Sequence, residues 1–302
     1  MKVLLTGASS GIGSVLIKRL VDCADLEIKA MIHHSLVNIS GCEARQGDLN
    51  NPELLTRAVD GVDTVIHMAA LTSSAQESEY FRVNVTGTQN LIDACVLKGI
   101  RRIIYISSRA ASLDGGGYSR SKLEAEECVK NSGIQWLILR PSEVYGQGAG
   151  DTINQLIQWV QRYPLVPIIG RGQAKFSPIY IDDLVSAIER SILEKELNYK
   201  TILLAGPEEL TFDELVDRIA EYFGVRRFKL HLPVGLVIIA AKVLSSMGIN
   251  ILVPDQIPRL LCSKDHDIRK TSALIPYAPR KIEEGMVLYL PDRESSTFNL
   301  IL

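Results

Sequence analysis

The chain has 302 residues, of which 46% are apolar and 23% charged, and its formal net charge is −2. This composition indicates a globular protein with a sizeable core and argues against a disordered chain. The sequence contains no block of basic residues, so we expect no nucleic-acid partner. Its five cysteines are scattered without a Cys-x-x-Cys pair, which argues against disulfides and metal sites and favours a reduced, cytoplasmic protein.

The first predicted element is a buried strand over Lys2–Thr6, followed by a loop of small residues and an amphipathic helix. Such a turn presents free backbone N–H groups and the positive end of the helix dipole, which suits a phosphate. The spacing Gly-x-x-x-Gly-x-Gly differs from the usual Gly-x-Gly-x-x-Gly, and an ordinary strand-to-helix turn is the alternative interpretation. The position between strand and helix nevertheless predicts a dinucleotide site formed by Gly7, Ser9, Ser10, Gly11, Ile12 and Gly13.

Strands and helices then alternate through two thirds of the chain, which predicts an α/β fold with a Rossmann-like, doubly wound parallel sheet. The expected strands are Lys2–Thr6, Glu27–Ile32, Val62–Met68, Arg102–Ser107, Trp136–Leu139 and Thr201–Ala205. The expected helices begin near Gly11, Pro52, Tyr80, Tyr118, Thr152 and Asp182. Ligands of such folds bind beyond the carboxyl ends of the strands.

The chain changes character after about Gly146, where glycines and prolines become frequent. A further strand and helix over Ser177–Leu193 are expected to return to the sheet, and the chain from Gly206 onward is expected to be mainly helical. We therefore predict a dinucleotide-binding domain over residues 1–170, with 177–205 returning to it. A smaller, mainly helical substrate-binding cap is predicted over 206–302, with part of 146–176.

The longest apolar stretch runs from Leu232 to Leu244. It is too short to cross a bilayer, so we expect a wall or interface helix and no transmembrane segment. Residues 291–302 form a tail to which the sequence assigns no role.

Tyr118 and Lys122 are spaced to share one face of a helix. A lysine ammonium one turn away favours the phenolate form of a tyrosine, and so does the positive ring of an oxidised nicotinamide. Two such charges could bring the tyrosine pKa toward neutrality, which would allow proton exchange with a carbinol during hydride transfer. The alternative is a helix with a packed tyrosine and a solvated lysine.

Ser107 and Ser108 lie at the end of the predicted strand that precedes this helix. A hydroxyl at that point could hydrogen-bond the reacting oxygen and hold it near the tyrosine. The alternative is that both serines only end the strand.

The sequence resembles the short-chain dehydrogenase/reductase superfamily, in the extended branch known as the NAD-dependent epimerase/dehydratase family. The resemblance covers roughly Met1 to Ile192 and depends on an ordered set of modest motifs. These are Thr6-Gly7 with Gly11 and Gly13, Gly47-Asp48-Leu49, His67-Met68-Ala69-Ala70, Asn84-Val85-Thr86-Gly87-Thr88, Tyr105-Ile106-Ser107-Ser108, Tyr118 with Lys122, Leu139-Arg140-Pro141-Ser142-Glu143-Val144-Tyr145-Gly146, and Tyr180-Ile181-Asp182-Asp183-Leu184.

The resemblance implies that Tyr118 is the catalytic acid/base, that Lys122 lowers its pKa and binds the nicotinamide ribose, and that Ser108, rather than Ser107, is the catalytic hydroxyl. It implies further cofactor contacts at Asp48, Leu49, Ala69, Ala70 and Pro141, and His33, at the end of the second strand, is a further candidate cofactor contact. Asn84 and His67 are expected to be structural, and Asp182 and Asp183 to cap the following helix. The predicted substrate contacts are Thr72, Ser108, Ser142, Glu143, Arg171 and Lys175.

Three features depart from the family pattern. The glycine spacing is that of the shorter, single-domain branch. His33-His34 stands where an NAD-preferring enzyme usually has an aspartate, so the preference between NAD and NADP stays open. Sugar-nucleotide members often carry an arginine at the position of Phe176, where Arg171 and Lys175 are the nearest basic residues.

The resulting hypothesis is an NAD(P)-dependent oxidoreductase or epimerase that transfers a hydride at a hydroxyl or keto carbon of a nucleotide sugar. One alternative is a reductase or dehydrogenase of an apolar, steroid-like or flavonoid-like compound. Another is a non-catalytic NAD(P)-binding structural or regulatory protein, which the intact Ser108, Tyr118 and Lys122 argue against. The predicted partners are a small-molecule substrate and a second copy of the chain in a homodimer.

Overall fold

A parallel sheet of seven strands forms the centre of the fold in the computed structural model, which describes residues 1–33, 41–149, 151–246 and 254–290. His34, Gly150 and the 291–302 tail lie outside the described residues. The strands are β1 (Lys2–Thr6), β2 (Glu27–Ile32), β3 (Glu43–Gln46), β4 (Thr64–His67), β5 (Arg102–Ile106), β6 (Gln135–Pro141), β7 (Val144–Tyr145), β8 (Leu165–Ile169), β9 (Lys175–Phe176), β10 (Ile179–Tyr180), β11 (Lys200–Leu204), β12 (Leu210–Thr211) and β13 (Phe228–Leu232).

The helices alternate with these strands. They are α1 (Gly11–Val21), α2 (Pro52–Ala58), α3 (Glu77–Tyr80), α4 (Gly87–Leu97), α5 (Gly116–Lys130), α6 (Asp151–Arg162), α7 (Ile181–Leu193), α8 (Phe212–Tyr222), α9 (Val234–Ser246), α10 (Gln256–Leu261), α11 (Arg269–Leu274) and α12 (Ile282–Tyr289). A π-helical segment, Phe81–Thr86, joins α3 to α4, and a 3₁₀ turn covers Lys195–Leu197.

The strand order is β11-β6-β5-β4-β1-β2-β3, and every neighbouring pair is parallel. Helices α1 and α7 pack together, and α4 packs against α2 and α5. Two separate apolar clusters, one containing Leu16 and Ile17 and the other Leu55 and Leu91, include side chains from the sheet and from these helices. This arrangement confirms the predicted Rossmann-like, doubly wound sheet, whose strand order reverses beside β1.

The apolar strand sequences follow from burial on both faces of the sheet. Val3, Leu4 and Leu5 of β1 are all fully buried, although successive side chains point to opposite faces. The edge strand β3 was not among the expected strands because its sequence, Glu-Ala-Arg-Gln, is polar and largely exposed. A strand at the sheet edge buries too little surface to leave a hydrophobic pattern.

The strand expected within Ser177–Leu193 does not join the main sheet. This strand, β10, pairs only with β7 in a separate two-stranded sheet, whereas the following helix α7 packs against α1 as part of the main layer. Asp182 and Asp183 also do not cap α7. The capping position is Tyr180, which makes no side-chain capping bond, and Asp183 instead accepts hydrogen bonds from Arg280.

The C-terminal part is mainly helical, as expected, with short strands that pair outside the main sheet. β9 pairs with β12, and β8 pairs with β13. Among the described helices, none combines the length and the apolar character needed to cross a membrane. The division into two domains at the stated boundaries remains a prediction.

Candidate active site

A tight glycine loop joins β1 to α1 at the carboxyl edge of the sheet. Gly7 has a φ of +74°, in the left-handed region that favours glycine. The Ser10 side chain caps α1 by accepting a hydrogen bond from the Gly13 backbone N–H at 3.1 Å. A Cβ on Gly13 would lie 2.2 Å from the Gly7 carbonyl oxygen, so this turn requires glycine. The loop leads directly into the helix start at Gly11 and Ile12, an arrangement that fits a dinucleotide pyrophosphate.

Gly11 lies against a second loop. A Cβ on Gly11 would be 2.2 Å from the Gly148 carbonyl oxygen, so the segment 146–149 passes close to the glycine loop. Glycine is therefore needed at position 11 because a side chain there would collide with the Gly148 backbone. This reason is separate from the predicted close approach of a cofactor pyrophosphate to the glycine loop. Ser9 and Ser10, the other small residues of the loop, are exposed.

The predicted adenosine-binding residues meet at the ends of β2 and β3. His33 Nε2 lies 3.4 Å from Asp48 Oδ2. Asp48 also accepts a hydrogen bond from the Asn50 backbone N–H at 2.9 Å, and this bond, with His33 nearby, holds the pKa of Asp48 below its usual range. Leu49 is buried beside them. A carboxylate thus stands next to the end of β2, although no acidic residue follows β2 directly in the sequence.

Ala69 and Pro141 lie at the same edge of the sheet. The Ala69 backbone N–H donates to Thr6 Oγ1 at 3.1 Å, and Ala69 is so close to Gly7 that a Cβ on Gly7 would clash with it. Ala70 follows directly, and Pro141 ends β6. The predicted cofactor residues outside α5 therefore come from the ends of five strands, β1, β2, β3, β4 and β6, at one sheet edge.

His67, at the end of β4, is fully buried and has structural partners. Its two ring nitrogens lie 2.8 Å from Thr6 Oγ1 and 2.9 Å from Thr88 Oγ1. Burial lowers the pKa of His67 to about 3, so the ring is neutral. This agrees with the expectation that His67 ends a strand and is not a base. Among the described residues, no group of three or more His, Cys, Asp or Glu side chains could hold a metal ion.

Tyr118 and Ser108 meet where α5 passes the end of β5. The Ser108 side chain lies beside the Tyr118 side chain and accepts the Ala110 backbone N–H at 3.1 Å. Burial raises the pKa of Tyr118 above its usual range, while the Arg259 guanidinium and the Ser108 hydroxyl act in the opposite direction. The resemblance implies that Lys122 lowers the pKa of Tyr118. In the protein by itself this pKa is instead raised, because desolvation of the buried phenol is the largest effect.

Lys122 is buried on the same face of α5. Its ammonium group donates to the Ile106 carbonyl oxygen at 2.9 Å and lies 4.1 Å from the centre of the Tyr105 ring. Burial lowers the pKa of Lys122 to about 7, and the neighbouring Glu126 carboxylate opposes this shift. The Ile106 carbonyl oxygen accepts a hydrogen bond from one of the three N–H groups of the ammonium. The other N–H groups fit the predicted hydrogen bonds to a nicotinamide ribose.

Ser107 has a different partner from Ser108. Its hydroxyl donates to Glu126 Oε1 at 2.6 Å, and Arg140 donates to both oxygens of the same carboxylate at 2.7 and 2.6 Å. The Glu126 side chain is fully buried, so these bonds compensate its charge. The geometry thus leaves Ser108, and not Ser107, beside the tyrosine.

Two residues of the C-terminal region complete this site and were missed from the sequence. Asp255 accepts hydrogen bonds from the Gly117 and Tyr118 backbone N–H groups at 2.5 and 3.3 Å, at the start of α5. The Arg259 guanidinium lies 4.6 Å from the centre of the Tyr118 ring and donates to the Thr72 carbonyl oxygen at 3.1 Å. No local motif marks either residue, because they reach the site only through the packing of α10 on α5.

The predicted substrate residues Ser142 and Glu143 are engaged in contacts within the protein. Glu143 lies 3.4 Å from Arg109, 3.2 Å from Lys264 and 3.1 Å from the Ser177 backbone N–H. Arg109 also pairs with Glu209 at 3.3 Å, so the cluster contains two cations and two carboxylates. The Ser142 hydroxyl donates to the Ser177 carbonyl oxygen. Arg109, Glu209 and Lys264 were not identified from the sequence.

Arg171 and Lys175, the predicted diphosphate ligands, are exposed. Phe176 is 2% exposed and packs against Phe212, with ring centres 5.3 Å apart. Because successive residues of a strand point to opposite sides, Lys175 faces away from the buried side of Phe176. On that side lies Lys264, whose ammonium is 5.3 Å from the Phe176 ring centre.

Comparison with known proteins gives a family match over the larger part of the chain. Residues 3–205 match the model of the NAD dependent epimerase/dehydratase family. The 3beta-hydroxysteroid-dehydrogenase/decarboxylase isoform 2 of Arabidopsis thaliana is 27% identical over 79% of this chain and 50% of its own length. The chain thus spans about half of that plant protein. The UDP-glucose 4-epimerase of Vibrio cholerae is 24% identical over 94% of this chain and 92% of its own.

Among solved structures, MoeE5 in complex with UDP-glucose and NAD is similar to most of this chain. It is 25% identical, has a TM-score of 0.75, and the match covers 95% of this chain and 96% of that one. The plant and Vibrio cholerae relatives are enzymes, and the MoeE5 structure contains NAD.

Proposed function

Because the chain belongs to the NAD-dependent epimerase/dehydratase family and is an enzyme that uses a nicotinamide cofactor, we propose that it oxidises or reduces a hydroxyl or keto carbon of an apolar, steroid-like substrate. The observation that carries the substrate class is the side chain at position 176. A buried phenylalanine stands there, where sugar-nucleotide members of the family often have an arginine for the diphosphate.

The charges around Phe176 support the same conclusion. Arg109 and Lys264 are the buried cations on this side of the site, and Glu143 and Glu209 already neutralise them. A diphosphate would have to displace one of these carboxylates, whereas an apolar substrate leaves the pairs intact. The relation to a plant hydroxysteroid dehydrogenase agrees with this choice.

In the proposed reaction, Tyr118 exchanges a proton with the substrate oxygen and Ser108 hydrogen-bonds that oxygen to hold it in place. When bound, the nicotinamide ring supplies or accepts the hydride. Arg259 favours the phenolate of Tyr118 electrostatically, and Lys122 holds the nicotinamide ribose. Asp255 fixes the backbone at the start of α5 and so positions the tyrosine.

A nucleotide sugar is the second candidate substrate, as first predicted from the sequence. It is favoured by the similarity along the whole chain to MoeE5 in complex with UDP-glucose and NAD. In that case Arg171 and Lys175 would have to reach the diphosphate from exposed positions.

A turnover assay with NAD and NADP tests the proposal. Hydroxysteroids, long-chain keto compounds and UDP-sugars are supplied in parallel, and reduced or oxidised nicotinamide and epimerised product are measured. We expect turnover with the apolar compounds, and Tyr118→Phe to lower it by about 10²–10⁴-fold while cofactor binding persists. Preferential turnover of a UDP-sugar would contradict the apolar assignment. Near-normal turnover in Tyr118→Phe would contradict the mechanism.

A further inference from the structure

Two segments of the chain contain no acidic residue. Residues 152–181 and 222–254 lack Asp and Glu altogether. Seven lysines and arginines lie in them, namely Arg162, Arg171, Lys175, Arg226, Arg227, Lys229 and Lys242. Since the whole chain has a net charge of −2, these segments are strongly basic relative to the rest of the protein.

The two segments meet in the parallel pair β8 and β13. Phe228 lies opposite Leu165 and Leu230 opposite Pro167 in the register of this pair. All four of these residues are exposed, and Phe228 is 77% exposed. A two-stranded sheet in contact with water normally turns its polar side chains outward, so this arrangement is the reverse of the expected one.

The opposite side of the same pair is the one that contacts the protein. Val166 and Ile168 of β8 are buried in the core. Lys229 and His231 of β13 bind Asp217 and Asp213 of α8. The polar side chains of β13 therefore face the protein and the apolar ones face outward.

Helix α9 continues the apolar character directly after β13. Leu236, Ile239 and Val243 lie along one side of this helix, and Leu236 and Ile239 are 64% and 60% exposed. The helix has 13 residues, or about 20 Å at about 1.5 Å per residue, which is shorter than the roughly 30 Å core of a bilayer. The helix is therefore too short to cross a membrane, and it adds exposed apolar side chains directly after β13.

Aromatic and basic side chains lie at the margin of these elements. Trp159 and Tyr163, near the end of α6, are both more than two fifths exposed, and the Trp159 indole N–H donates to the Leu165 carbonyl oxygen at 2.9 Å. Arg162, Arg226 and Lys242 are exposed. Tryptophan, tyrosine and basic residues are the types that occupy the headgroup level of membranes.

We propose that this surface docks onto a membrane that contains anionic phospholipids. The surface, called here the basic apolar face, comprises Leu165, Pro167, Phe228, Leu230, Leu236 and Ile239. Its apolar side chains enter the boundary between headgroups and acyl chains, and Arg162, Arg226 and Lys242 contact lipid phosphates.

Charge decides between a membrane and a second copy of the chain as the occupant. In a symmetric dimer the same surface meets itself, so a dimer through this face would bring two basic surfaces together. An anionic membrane complements both the apolar side chains and the cations. The proposal concerns a surface outside the active site and does not rest on the proposed function.

The test is flotation of the full chain with vesicles of phosphatidylcholine alone and of phosphatidylcholine with about 30% phosphatidylglycerol, an anionic lipid. We expect binding to the anionic vesicles that weakens as salt is raised from about 0.1 to about 1 M. The variant Phe228→Ser/Leu236→Ser should bind at least about tenfold less, because it removes two of the most exposed apolar side chains. Arg162→Gln/Arg226→Gln should lose most of the preference for anionic lipid.

The matched control is Val96→Ser/Leu97→Ser, which removes two exposed apolar side chains of α4 at 56% and 72% exposure. This control should bind vesicles as the unchanged protein does. Circular dichroism and NAD binding verify that each variant is folded. No binding to anionic vesicles, or equal loss in the control and in Phe228→Ser/Leu236→Ser, would overturn the proposal. A lower oligomer mass in Phe228→Ser/Leu236→Ser, with vesicle binding unchanged, would assign the face to a second copy instead.

Discussion

Ser108 differs from its neighbour Ser107 in what its hydroxyl can do. Ser108 contacts Tyr118, whereas the Ser107 hydroxyl is committed to the buried Glu126 carboxylate. We expect Ser108→Ala to lower kcat by about 10²–10³-fold with little change in KM, since a positioned donor acts mainly on the transition state. Ser107→Ala should lower kcat less than about tenfold and reduce stability by about 1 kcal/mol, the cost of a lost hydrogen bond.

Steady-state kinetics on the substrate found in the turnover assay, with denaturant unfolding for stability, measure both variants. Equal losses of kcat would mean that Ser108 has no special role. A larger loss in Ser107→Ala would reverse the assignment of the two serines.

Lys122 should make the stability of the protein depend on pH. Its pKa is about 7 in the folded protein and about 10.4 in an unfolded chain. Between these values the unfolded state binds the proton and the folded state does not, so the contribution of Lys122 to the free energy of unfolding increases with pH. The increase is at most about 1.4 kcal/mol per pH unit, and below pH 7 it levels off because both states are protonated.

The comparison is between the unchanged protein and Lys122→Met, unfolded by denaturant at several pH values from 7 to 10. As the pH rises, the free energy of unfolding of the unchanged protein should increase relative to that of Lys122→Met. Lys130→Met, on the same helix but partly exposed, should show no such trend. A flat difference for Lys122→Met would mean that Lys122 keeps an ordinary pKa when folded.

At the scale of elements, α10 brings a permanent cation to the tyrosine. Arg259 lies over the Tyr118 ring and opposes the effect of burial on the phenol pKa. We expect Arg259→Met to raise the pKa of Tyr118 further, to shift the rise of kcat with pH to higher pH, and to lower kcat about tenfold near neutrality. Arg259→Lys keeps the positive charge, so the rise of kcat with pH should return to its original pH range.

The measurement is the pH profile of kcat for both variants, with NAD binding as the check on folding. Asp255 and Tyr80 also lie near Tyr118, and both remain in each variant. Loss of activity without a shift of the pH profile would show that Arg259 only supports the packing of α10.

At the scale of the whole molecule, Lys264 connects the C-terminal region to the sheet edge. It is buried beside Glu143 and Phe176. Lys264→Met should lower the free energy of unfolding by about 2 kcal/mol, because Glu143 loses a charged hydrogen-bond partner but keeps Arg109 and the Ser177 backbone N–H.

Arg269→Met is the matched control, because Arg269 pairs with Asp267 at an exposed position and should contribute less than about 1 kcal/mol. Thermal and denaturant unfolding compare the two variants. Equal effects would mean that the Lys264 pair does not stabilise the junction.

The sequence by itself determined the sheet, the glycine loop and the proposed catalytic residues. These depend on local signals: apolar runs for buried strands, Gly7 to Gly13 for the turn, and the spacing of Tyr118 and Lys122 on one helix face. The edge strand β3 left no such signal because its sequence is polar and exposed. The pairing of β10 with β7 left none because the apolar sequence of a strand does not specify which strand it pairs with.

Only the tertiary structure decided how the site is charged and what surrounds it. Arg259 and Asp255 reach Tyr118 across more than 130 positions of sequence, and burial, which no local pattern reports, raises the pKa of Tyr118 and lowers that of Lys122. The outward-facing apolar side of β8 and β13 was likewise hidden, because periodicity shows that a strand has two sides and packing alone determines which side meets the core.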